Sequence, residues 1–83
     1  MVLYKSLCRA VQMNREGERS AETIRQEMRR ILSGEPLARV DYVSIADHTT
    51  LEELDIVDRP ALVSLAVRFG KTRLIDNMPI DPG

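Results

Sequence analysis

The chain has 83 residues, a formal net charge of −1, and 43% hydrophobic, 30% charged and 4% aromatic residues. A chain of this length supports one aliphatic core, burying about 60–65% of its unfolded surface, with no deep active site beside it. Near-neutral charge makes no global case for nucleic acid, the apolar runs fall short of a membrane span, and a lone Cys8 excludes an internal disulfide.

From Val2 to Arg15 the spacing predicts a helix. Leu3, Leu7, Ala10, Val11 and Asn14 recur at intervals of three and four, with Lys5, Arg9 and Gln12 opposite. Nothing caps it: Met1 stands where Ser, Thr, Asp or Asn is expected, the mark of a helix taken from a longer chain. After a turn at Glu16-Gly17-Glu18, Ser20 is the expected N-cap of a second helix, Ala21 to Ser33. Its apolar stripe is Ile24, Met28, Ile31 and Leu32, Arg29 and Arg30 suit the dipole at its last turn, and Gly34 ends it. A connection this short makes the two helices an antiparallel pair.

Residues 39–47 alternate as a strand, with Val43 and Ile45 facing the core. Asp47-His48-Thr49-Thr50 has turn composition, and a short helical turn capped by Thr49 or Thr50 is expected through Leu51 to Leu54. Ile56 and Val57 are expected to tuck under the sheet. Ala61 to Phe69 is the most apolar stretch, with Val63, Leu65, Val67 and Phe69 on one face and Leu62, Ser64, Ala66 and Arg68 on the other. Gly70 and Lys71 break the run, and Thr72 to Asn77 returns as the partner strand. Residues 79–83, with Pro79 and Pro82, read as an extended or frayed tail behind a domain of residues 1–78.

The order α-α-β-β-β predicts an α+β two-layer sandwich, two antiparallel helices packed on one face of a three-stranded antiparallel sheet. The expected core is Leu3, Leu7, Val11, Ile24, Met28, Ile31, Leu32, Val43, Ile45, Val63, Leu65, Val67 and Ile75.

Chemistry is sparse. His48 is the single histidine and has no companion spaced for a shared metal, so it reads as a solvated loop residue. Cys8 sits near the apolar side of the first helix as a structural thiol with no base to activate it. Gly70-Lys71-Thr72 echoes the end of a phosphate-binding loop, but position 65 is Leu where the motif needs glycine, and no helix follows. Lys71 and Arg73, at or near the hairpin tip, are the candidates for contact with an anionic ligand. Charge is uneven: residues 1–40 hold eight Lys and Arg against five Glu, and residues 41–83 hold four against eight Asp and Glu. That asymmetry fits the solvated faces of two helices.

Three ordered stretches resemble one family. Leu3–Leu7 (LYKSL), Val40–Leu54 (VDYVSIADHTTLEEL) and Arg59–Asn77 (RPALVSLAVRFGKTRLIDN) are similar to the C-terminal part of pantothenate synthetase (pantoate–β-alanine ligase), with fitting gaps between them. The resemblance implies a two-step ligation of pantoate and β-alanine through a pantoyl adenylate, using ATP and Mg2+, in pantothenate (vitamin B5) biosynthesis. It places that machinery on a Rossmann-like N-terminal domain with a HIGH-type motif and a Ser-Arg-Asn loop, neither of which occurs in these residues.

The chain is therefore expected to be a cytoplasmic C-terminal lid domain, inactive alone, whose partner is that missing catalytic domain. No family catalytic residue transfers to a position here; Lys71 and Arg73 remain the candidates for a surface facing substrate. No metal ligand, nucleic-acid contact or membrane contact is expected. The alternatives are a free-standing interaction or small-ligand binding module and, more remotely, a nucleic-acid binder built on the arginine-rich helix pair, which the sparse aromatics disfavour.

Overall fold

A computed structural model describes all residues, Met1–Gly83. Helix α1 spans Val2–Arg15 and α2 spans Ala21–Ser33. Strands β1 (Ala38–Asp47), β2 (Ala61–Phe69) and β3 (Thr72–Ile80) form one antiparallel sheet in the order β1-β2-β3. The helices cover one sheet face, as the α-α-β-β-β pattern predicts.

Helix α2 begins where its chemistry says it should. The Thr23 amide donates to Ser20 Oγ at 3.2 Å, satisfying a donor that the first turn leaves free. Helix α1 has no side-chain cap at Met1. The pair packs through Leu3, Leu7, Ala10 and Met13 from α1 and Ala21, Ile24, Met28 and Leu32 from α2, all buried. Ser6, fully buried between them, donates its hydroxyl to the Met28 carbonyl at 3.4 Å, so this helix contact is partly polar. Below them lie Val43, Ile45, Val63, Leu65 and Val67 of the sheet.

The β2–β3 hairpin turns on Gly70 and Lys71, with Phe69 opposite Thr72. Gly70 has φ +61, a left-handed conformation that glycine adopts without a Cβ penalty. Counting outward, Val67 faces Leu74 and Ala66 faces Ile75. The core position on β3 is thus Leu74, and the expectation that Ile75 is buried is corrected: it lies on the outer face at 56% exposure. Val11 and Ile31 are half-buried, with Val11 packed at the edge of the core.

Strand β3 also runs further than expected. It continues to Ile80, which pairs with Ala61 and is 5% exposed. Pro79 fits inside it because β3 is an edge strand, where a missing N–H breaks no ladder. The reading of residues 79–83 as tail is corrected to the last three, and those are held down. Asn14 Nδ2 donates to the Asp81 carbonyl at 2.9 Å, and Arg19 Nη2 donates to the Pro82 carbonyl at 2.9 Å.

The connection from β1 to β2 departs most from expectation. Asp47 Oδ1 accepts the Thr49 and Thr50 amides at 2.8 and 3.0 Å, closing the expected turn. No helical turn follows. Leu51 takes a positive φ of 63, reversing the chain so that Glu53 bridges to Ala46 beside the open edge of β1. Glu53 then holds that edge: its carboxylate accepts from Ser44 Oγ at 2.7 Å, from the Ile45 amide at 2.8 Å and from Arg25 Nε at 3.0 Å. An edge strand whose amides are occupied in this way is protected from pairing with another chain. Val57 tucks fully under the sheet as expected, while Ile56 stays 54% exposed.

Candidate functional site

The helices leave the second face of the sheet uncovered, and the antiparallel register arranges its residues in rows. Tyr42, Ala66 and Ile75 make one row, with Ala66 buried beneath its larger neighbours. The next row, toward the hairpin tip, is Arg39, Arg68 and Arg73, one arginine from each strand.

Three guanidiniums side by side would repel, and a β-bulge supplies the counter-charge. Val40 pairs with Val67 and Tyr42 pairs with Ala66, so Asp41 is an extra residue with no partner on β2. Its carboxylate reaches over the outer face. Arg73 Nε donates to Asp41 Oδ2 at 2.8 Å, and Arg68 Nε donates to the same oxygen at 3.1 Å and to Oδ1 at 3.3 Å. The hydrogen bond from Arg73 is the main reason the Asp41 carboxyl is held below its usual range, with the charge of Arg68 adding to it. The bulge also restores Val40 to the face of Val43 and Ile45, where it packs against the core.

The two sequence candidates part company here. Arg73 belongs to the arginine row. Lys71 stands exposed at the turn with no ion-pair partner, two residues from it. Sequence reading missed Arg68 and Arg39. Arg68 opposite Arg73 follows from counting across the two-residue turn, whereas Arg39 joins the row only because of the bulge. Cys8 is half-buried and His48 is exposed in the turn after β1. No three His, Cys, Asp or Glu side chains converge. A cleft of about 910 Å³ lies between the helices on the far side of the molecule. Within it Glu27 pairs with both Arg9 and Arg30.

The fold and this outer face can be set beside known proteins. The profile of the family described as pantoate-beta-alanine ligase matches residues 1–79. The chain belongs to that family. A pantothenate synthetase of Chloroflexus aurantiacus is 56% identical over 77 residues, covering 92% of this chain and 27% of the relative. One from Thermosipho africanus is 45% identical over 78 residues, covering 94% of this chain and 28% of the relative. The crystal structure of pantothenate synthetase from Thermus thermophilus superposes with a TM-score of 0.83 at 32% identity, over 93% of this chain and 28% of that one. The chain thus spans a little over a quarter of the length of these pantoate–β-alanine ligases.

Proposed function

We propose that these residues are the C-terminal lid of a pantothenate synthetase, the ligase that joins pantoate and β-alanine through a pantoyl adenylate. The observation that carries this reading is the family match over residues 1–79 in a chain covering only 27% of a relative it matches at 56% identity. In this reading ATP and Mg2+ are bound by the remainder of the enzyme. That remainder is the lid's partner, and pantoate, β-alanine and ATP are substrates of the whole in the cytoplasm.

A lid has a plain chemical purpose in such a reaction. An acyl adenylate hydrolyses when water reaches it, so a rigid cover that closes over the site protects the intermediate until the amine attacks. This chain offers the parts of a cover: a well-packed two-layer body and one uncovered sheet face carrying both apolar and cationic side chains. Lys71 and Arg73 are the residues proposed to face substrate.

The test is an assay of the pure 83-residue chain with pantoate, β-alanine, ATP and Mg2+, measuring AMP release. AMP formation at the level of the no-protein control is the expected result. Turnover above that control would show a self-sufficient catalyst and overturn the lid reading.

A further inference from the structure

We infer that the arginine row on the uncovered face is a receptor for a multiply charged phosphate anion, of the pyrophosphate class. Asp41 engages Arg68 and Arg73 through their Nε atoms only. Both Nη groups of each guanidinium are left without a protein partner, and Arg39 and Lys71 have no ion pair at all. Two arginines are therefore anchored at the inner end and open at the outer end. A guanidinium held this way loses less side-chain freedom when it captures an oxyanion.

Charge and spacing select the ligand. Three arginines share the row with one carboxylate, which reaches only two of them, so the site attracts an anion even with Asp41 in place. Neighbouring strands lie about 4.8 Å apart, and a row of guanidiniums at that spacing presents more donors than one carboxylate can take. Two linked tetrahedral phosphates offer acceptors over such a span, and guanidinium forks match phosphate oxygens bidentately. The inference deepens the lid reading, which supplies the biological source of the anion, but binding is measured on the chain alone. The two fail separately: a chain without ligase activity still binds or does not bind.

The experiment is a titration of sodium pyrophosphate into the 83-residue chain at low ionic strength, followed by NMR at the arginine Nε–H and backbone amide signals. Saturable shifts confined to Arg39, Arg68, Lys71 and Arg73 are expected, with a dissociation constant on the order of a millimolar, while acetate produces no saturable shift. The double variant Arg68→Lys and Arg73→Lys keeps the charge and removes the forks, and it should bind at least about tenfold more weakly. Far-UV circular dichroism confirms that the variant is folded, which exposed positions permit. Scattered or unsaturable shifts, acetate binding as well as pyrophosphate, or a lysine variant titrating like the parent would each overturn the inference.

Discussion

Asn14 at the end of the first helix donates its side-chain amide to the carbonyl oxygen of Asp81, 2.9 Å away, and so ties the start of the chain to its end. Arg19 completes the clasp, donating to Asn14 Oδ1 at 3.0 Å and to the Pro82 carbonyl at 2.9 Å. Asn14 is 5% exposed, so losing its partner leaves a polar group that water cannot reach. Asn14→Ala should destabilise the fold by about 1–3 kcal/mol. Deleting residues 81–83 should cost a similar amount, and combining the two should cost less than the sum. Urea unfolding of the three variants and the parent measures this; strict additivity would show that the clasp is not one unit.

Ile75 and Ile80 lie on the same strand and should respond unequally to truncation. Ile80→Ala removes methyl and methylene groups from a packed site and should cost about 2–4 kcal/mol. Ile75→Ala acts on an exposed face and should shift stability by less than about 0.5 kcal/mol. Equal urea midpoints for the two variants would contradict the register of β3.

Leu51 sits at φ 63 with its side chain 64% exposed, so it carries the backbone cost of a left-handed conformation with little burial in return. Asparagine enters that region more readily. Leu51→Asn should therefore stabilise the chain by about 0.5–1 kcal/mol, read as a higher urea midpoint at unchanged slope.

Acid should weaken the fold through identifiable carboxylates. The amides of Thr50 and Thr49 hold the Asp47 carboxyl below its usual range, and Arg73 and Arg68 do the same for Asp41. A carboxyl depressed in the folded state stabilises it above the unfolded value, about 3.9 for aspartate. That contribution disappears as pH falls through the folded value. The urea midpoint should hold steady from pH 7 to about 5 and drop below about 4. Asp47→Asn, which cannot take up the proton, should flatten the drop, and an unchanged acid profile in that variant would exclude Asp47 as a contributor.

Much of this molecule can be read along the chain because its elements are local. The helix limits, the Ser20 cap and the strand facing of Val63, Leu65 and Val67 follow from periods of 3.6 and 2 and from residue chemistry over a few positions. The outward position of Ile75 and the pairing of Arg68 with Arg73 were also legible, since a two-residue turn sets the register of everything beyond it. Hydrophobicity alone puts Ile75 in the core; the register across Gly70 and Lys71 puts it on the outer face.

The sequence by itself determined the two helices, the three strands and their order, because local propensity and periodicity depend on near neighbours alone. Only the tertiary structure decided three further things: that Asp41 bulges out to gather two arginines, that Glu53 seals the edge of β1, and that Asn14 and Arg19 hold the last residues. Each depends on side chains meeting across the fold. No short-range pattern encodes a contact whose partners come together only after the helices and the sheet have packed.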